Sequence, residues 1–224
     1  MTSVVQRELG IDFELLHPKV AWRFGFSADD DVCQLGTGVM EQVVANRLLP
    51  GPMLRIGARR GLFPPKVGTN VPFTIANYAY RDSLGREVLA FARRFQFPGR
   101  TVSLDSLMVT GSEGALDYLG DKPDLVVRTR CSVDVEGALV LDSDPPRILG
   151  PRFTIRPPAS VSASTHAREG WDETERRHTI EVSVRSGAVG ELIGYRGWFT
   201  ATQKPCTRDQ IPADLIPEHP ETRE

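Results

Sequence analysis

The sequence predicts a mainly all-β protein, an antiparallel closed or nearly closed β-barrel preceded by an N-terminal helical segment. Two observations carry most of this. Segments in which apolar and polar residues alternate recur at short spacing from residue 35 onward, the mark of strands with one buried face. The stretches between them are polar and contain Gly, Pro or Asp, as hairpin turns require. A third observation is that helical periodicity is convincing only at the start of the chain.

Residues 4–24 place Val5, Leu9, Phe13, Leu16 and Val20 at three- and four-residue spacing. Gly10 and Pro18 interrupt the run, so a bent helix or two short ones closing one end of the domain is expected. Asp29, Asp30 and Asp31 lack the Gly and distal Glu of a calcium loop and read as a solvated turn. Residues 35–46 form a strand, rich in β-branched residues, in which Gly36 and Gly38 permit a bend or bulge. Gly36-Thr37-Gly38 is no dinucleotide fingerprint: it has no preceding apolar strand, third glycine or following helix. Residues 50–70 are a long Gly-, Pro- and Arg-containing connection with its own hydrophobics, expected to pack down as a cap or functional loop. Arg55, Arg59 and Arg60 in it are either an anion grip or a solvated turn.

The stretch VPFTIANYAYRDSLGREVLAFARRFQF, residues 71–97, is the clearest hairpin. Its second run puts Glu87, Leu89, Phe91, Arg93, Phe95 and Phe97 on one face, so two charges sit among aromatic rings and must be paired or solvated. Residues 101–110 place Val102, Leu104 and Met108 on one side. Residues 111–123 form a polar break, with a short helix around Leu116, Tyr118 and Leu119 as the most structure expected there. Further strands follow at 125–135, 138–142, 148–156, 160–167 (a weaker one), 178–185 and 192–202. From Pro205 the chain is proline-rich and charged and is expected to be extended or poorly ordered. The domain reading is therefore a single barrel with its N-terminal helix over residues 1–204 and a tail over 205–224. Nine or ten short strands close into a barrel of lipocalin-like kind, because closure removes exposed edges. A barrel is preferred to a sandwich because the inward set mixes aromatics, Gly194 and Gly197, and isolated polar groups.

A chain of 224 residues suits one large β domain, and 40% hydrophobic with 25% charged residues is ordinary for a soluble globular protein. The net charge of −2 supports neither a nucleic-acid nor an anionic-membrane partner. No apolar run approaches the roughly 20 residues of a membrane helix, and the start lacks a basic-then-apolar signal, so a cytoplasmic location is expected. The 3 cysteines are far apart and make no disulfide framework. Cys131, alternating with valines, reads as a small buried filler.

The usual motifs of acyl-enzyme, phosphoryl-transfer, redox and metal chemistry are absent, and His17, His166, His178 and His219 are scattered; no metal or cofactor is expected. What remains is a cofactor-free acid–base pocket. Glu87 is the first candidate acid and Asp117, in a presumed loop with Tyr118, the second, since a desolvated carboxylate can keep a proton near neutral pH. Asn77, Arg93 and Tyr195 share inward faces and would orient a ligand. Tyr78, Phe95 and Trp198 complete the candidate contacts, with core or rim packing the plainer reading for Tyr78 and Trp198. A Glu87–Arg93 ion pair near the barrel mouth is the plainer reading of those two residues.

The stretches VPFTIANYAYRDSLGRE, RRFQF, DYLG at residues 117–120 and IGYRGWF at residues 193–199 together resemble a bacterial domain of unknown function, number 4166. The likeness runs from about His17 to Thr202. It brings no general activity, but some stand-alone relatives accompany polyketide gene clusters, where ring-closing proteins are found. By that analogy the chain is a cofactor-independent cyclase or isomerase of a hydrophobic polyketide-like intermediate, with spiroacetal formation as the specific case. A non-catalytic binding protein for a lipid-like small molecule is the alternative, and a structural module with a side-chain-filled barrel is a third. A homodimer is compatible with any of these.

Overall fold

A computed structural model describes residues 2–46, 67–120, 124–150, 153–157, 162–187 and 190–217. The expected cap at residues 50–70, with Arg55, Arg59 and Arg60, lies outside the described residues as far as residue 66. The described chain is mainly β, with strands β1 (Val32–Ala45), β2 (Gly68–Arg81), β3 (Glu87–Phe97), β4 (Arg100–Gly111), β5 (Gly114–Leu119), β6 (Leu125–Val133) and β7 (Leu139–Ser143). These are followed by β8 (Arg147–Leu149), β9 (Thr154–Ile155), β10 (Ala163–Asp172), β11 (Arg177–Ser186) and β12 (Gly190–Pro205).

Each strand pairs antiparallel with its sequence neighbour from β1 to β7, then β7 with β10, β10 with β11, β11 with β12, and β12 returns to β1. The β5–β6 pairing completes the circuit, so ten of the 12 strands of the sheet make a closed barrel. Strands β8 and β9 are an excursion that pairs beside the start of β6. Barrel diameter grows with strand number, and about eight strands already leave an interior that side chains just fill. Ten leave room to spare unless the inward residues are large.

The β2–β3 hairpin forms as its alternation predicts. Asp82 Oδ1 accepts the backbone N–H groups of Leu84 and Arg86, each at 2.9 Å, and Gly85 takes the left-handed φ of 80° that the turn needs. In β1, a Cβ at Gly38 would lie 1.9 Å from the Trp198 carbonyl, so only glycine lets β12 approach here, next to a register shift between Met40 and Gln42.

The N-terminal segment closes one end, as expected, in two short helices: α1 (Val4–Leu9) and α2 (Pro18–Phe24), with a 3-10 turn between them. A capping box starts α1, Ser3 accepting from Gln6 N and Gln6 accepting from Ser3 N. Ser3 Oγ also donates to the Phe24 carbonyl at 2.7 Å, tying the two helices together. Val4, Val5, Leu9, Val20 and Phe24 are buried in the same cluster as the inward residues of the strands. At about 1.5–3 kcal/mol for each fully buried aliphatic or aromatic side chain, this docking is a substantial part of the fold's stability.

Three expectations are corrected. Residues 114–119 are strand β5, not a polar break with a short helix; Asp117 and Tyr118 therefore lie on a strand, pointing to opposite faces. The strand expected over 148–156 is broken into the short β8 and β9. The described chain beyond Pro205, as far as residue 217, is not simply extended. It makes two 3-10 turns, and its Ile211 and Leu215 cover an apolar outer stripe that includes Cys33, Val88, Ala90 and Val109. Tyr80 Oη donates to the Leu215 carbonyl at 2.7 Å and fixes this wrap.

Candidate functional site

Alternation sends one set of side chains inward from every strand, and their sizes divide the lumen in two. On β2, β3 and β12, and on β11 at the helix end, the set is large. Phe95 packs edge-on against Phe73 with centroids 5.1 Å apart, Phe199 lies 6.2 Å from Phe73, and His178 stacks on Phe199 at 5.2 Å. Into this half α2 inserts Arg23, whose side chain is 1% exposed. Its Nη1 donates to Gln34 Oε1 at 2.8 Å and its Nη2 to Asn77 Oδ1 at 2.5 Å. Its Nε lies 3.1 Å from Glu169 Oε1, a charge contact whose angle is too poor for a hydrogen bond. The guanidinium also lies over the Phe199 ring at 5.3 Å. A buried cation is tolerated only when paired and hydrogen-bonded, and here β1, β2 and β10 each supply a partner.

In the other half the inward residues are Ala, Val, Leu, Thr and Ser, and they leave a cavity of about 250 Å³. Its wall is mostly aliphatic, including Val127, Leu141, Ala167, Val182 and Ile193. Three larger polar groups enter it from β3, β5 and β12: Arg93, Asp117 and Tyr195. The register places them on the inward face. Asp117 pairs with Val127 and Met108, Arg93 with Ile75 and Leu104, and Tyr195 with Val182.

Asp117 is half-buried and lines the cavity. Burial pushes its carboxyl up to about 6, against the opposing pull of the Arg93 guanidinium and of Ser106. Neither Asp117 Oδ1 nor Ser106 Oγ has a hydrogen-bond partner of acceptable geometry. Burial likewise raises the Tyr195 phenol, with Arg93 opposing, so Tyr195 stays a neutral donor. Glu169 is raised by burial too, with Arg23 and then Arg93 holding it down. Arg93 lies over the Phe91 ring at 4.9 Å, and among the described residues its guanidinium makes no hydrogen bond. The arrangement can donate a proton from Asp117 and hold an oxygen on Arg93 or Tyr195, all within an apolar enclosure.

Of the residues predicted from sequence, the structure brings Arg93, Asp117 and Tyr195 together at the cavity. Asn77 is inward but belongs to the Arg23 network, and Phe95 is packed between Phe73 and Tyr195. Glu87 is 7% exposed and inward, at the helix-closed end. Its Oε1 accepts the Ala28 N–H at 2.5 Å, and Arg81 Nε is 3.9 Å from Oε2, so it caps the entry of β1 and does not line the cavity. The expected Glu87–Arg93 ion pair is not formed; six residues of β3 separate them along the barrel axis. Tyr78 and Trp198 face outward. Tyr78 packs with the stripe beneath the C-terminal turns, and Trp198 lies under Arg177 at 4.5 Å. Arg23, Gln34, Glu169 and His178 escaped the sequence reading. The available signals were Arg23 between Val20 and Phe24, and Glu169 alternating with Ala167 and Trp171. Among the described residues no group of three or more His, Cys, Asp or Glu could hold a metal ion, and no helix is long and apolar enough to cross a membrane.

The family model of a domain of unknown function, DUF4166, matches residues 16–199, which takes in the α2 plug and the barrel through Phe199. The chain is 27% identical over 209 residues to "Uncharacterized protein YndH" of Bacillus subtilis (strain 168), covering 91% of this chain and 99% of that protein. No solved structure matches.

Proposed function

Because the chain belongs to the DUF4166 family, a domain of unknown function, we propose its activity from the site alone: it binds a small hydrophobic molecule in the barrel lumen and acts on it as a cofactor-independent cyclase or isomerase. The observation that carries this reading is Asp117, a carboxyl held up to about 6 with an unbonded oxygen in a mostly aliphatic cavity. At pH 7 roughly a tenth of such carboxyls keep their proton, enough for a general acid. Glu87, the first candidate from sequence, is engaged by the Ala28 N–H, so the acid role falls to Asp117.

For a polyketide-like hydroxy-hemiacetal the steps balance simply. Asp117 gives its proton to the hemiacetal hydroxyl, the C–O bond breaks and water leaves. A second hydroxyl of the same molecule attacks the oxocarbenium carbon, and its proton returns to the Asp117 carboxylate. The product is a spiroacetal and the acid is restored. Arg93 and Tyr195 hold carbonyl or hydroxyl oxygens, and the walls fold the chain into the reactive conformer, an effect that lowers such barriers substantially. The aliphatic lining equally favours a second reading, a non-catalytic carrier of a lipid-like molecule. Asp117→Asn separates the two. A cyclase loses turnover by about 10²–10⁴-fold with ligand affinity kept; a carrier shows no turnover in either form.

A further inference from the structure

We propose that the molecule taken into the lumen is a carboxylic acid, its carboxylate held by Arg93 while Asp117 takes up a proton. This rests on the reading of the lumen as a ligand site and narrows its ligand class. Charge balance inside the lumen points to it. The ionisable groups brought together inside the barrel are Arg23, Arg93, Glu169 and Asp117, with His178 kept neutral by burial. Arg23 is matched by Glu169 at 3.1 Å and by two amide oxygens. Arg93 has no such set: a ring face on one side, Glu169 already committed to Arg23, and Asp117 as its remaining counter-charge. When Asp117 is protonated the lumen is one negative charge short, and a half-buried guanidinium facing a mostly aliphatic wall is destabilised in that state. A ligand carboxylate supplies the charge and matches the planar donor fork of arginine in two-point geometry.

Asp117 and a ligand carboxylate thus compete for one cation, and binding of the second favours the neutral form of the first. The other titratable groups facing Asp117 do not replace it. Cys131 on β6 is pushed up to about 12 by burial, with Glu8 of α1 beyond it and Asp117 both adding to the rise, and Tyr195 on β12 is a neutral phenol. Asp105, at the cavity edge, is paired with Arg94. The same coupling serves catalysis, because an arriving carboxylate makes Asp117 take a proton from solvent that it later donates. A cavity of about 250 Å³ has room for roughly eight water-sized groups, which suits a short aliphatic or alicyclic acid body, with any longer part at the mouth.

The test is calorimetric titration of the full chain with octanoate and with 1-octanol at pH 6 and pH 8. The expected result is octanoate tighter than octanol by about tenfold or more at pH 6. Its affinity should fall by about tenfold or more at pH 8, where the protonated, competent fraction shrinks. Buffers of different ionisation enthalpy should report net proton uptake. Arg93→Gln should bring octanoate down to the octanol level, and retained octanol binding shows that this variant is folded; should octanol binding be lost too, Arg93→Lys must keep the preference for octanoate. Asp117→Asn should bind octanoate with no pH dependence between 6 and 8. Octanol binding as tightly as octanoate to the unaltered protein overturns the carboxylate inference and leaves the lumen site standing. Failure of both probes overturns the lumen site itself.

Discussion

The two halves of the barrel lumen each contain an arginine, a carboxylate and aromatic or hydroxylic neighbours, and each leaves some buried polar atoms without a partner; they differ in how tightly those groups are packed. At the helix end Arg23 meets Gln34, Asn77 and Glu169 beside Phe24, Phe199 and His178. At the other end Arg93 and Asp117 face a cavity walled by Val, Leu, Ala, Thr and Ser. The same ten-stranded wall serves both, so the difference is set by inward side-chain volume and by the helical plug at one end. Large inward rings turn one half into a core, and small inward residues leave the other half an open cavity. Buried charge is held among direct side-chain partners in the first and borders empty space in the second, which is why the second is the candidate site.

Changes in the filled half should have the largest effects. Glu169→Gln leaves Arg23 without its countercharge in a closed environment, and about 3–5 kcal/mol of stability is expected to be lost. Urea unfolding measures this; a loss under 1 kcal/mol would mean that the Arg23 cluster is no more demanding than the cavity. Next comes pH. His178 has its folded pKa lowered to about 3 from an ordinary 6.5, chiefly by burial and then by Arg23. Its contribution is therefore complete above the unfolded value and is lost as pH falls from 6.5 toward 3. Between pH 7 and pH 5 that amounts to on the order of 2 kcal/mol. Asp117 acts in the opposite sense: its raised folded pKa contributes stability below about 4 that is lost as pH rises through about 6. His178→Phe, which keeps the stack on Phe199, should flatten or reverse the acid-side loss seen in thermal unfolding at pH 5 and pH 7.

Filling the cavity should affect stability less and binding more. Ala167→Phe introduces a ring on the wall of the cavity and is expected to change stability by about 1–3 kcal/mol or less, as overpacking does. It should also weaken lumen binding of octanoate about tenfold or more. Binding that survives this substitution would place the ligand elsewhere. The smallest effects belong outside. Trp198→Ala removes an outward ring that lies under Arg177 and should leave ligand affinity within about twofold, since surface changes rarely exceed 0.5 kcal/mol or so.

Much of this was legible in the sequence. Alternation identified the β2–β3 hairpin and put Arg93, Phe91, Phe95 and Tyr195 on inward faces; the closed barrel and the helical plug followed from the strand count and from residues 4–24. Alternation reports a face, however, and not a depth along the barrel axis. Glu87 and Arg93 share one face of β3, yet one meets the Ala28 N–H at the plugged end and the other meets the cavity. Strand β5 was obscured because GALDYL is short, begins on a glycine and is flanked by Gly111 and Gly120; its pairing with both β4 and β6 outweighs its weak local preference. Arg23 and Glu169 lie far apart in sequence, and only the docking of α2 into the barrel brings them together.

The account depends most on Asp117 being a carboxyl poised near neutrality and coupled to whatever occupies the lumen. Its carboxyl titration can be followed directly by carbon NMR in the full-length protein, with and without octanoate. The account predicts a midpoint near 6 in the free protein and an upward shift of about one unit or more when the ligand is bound. A midpoint in the ordinary aspartate range near 4, unmoved by ligand, would contradict it.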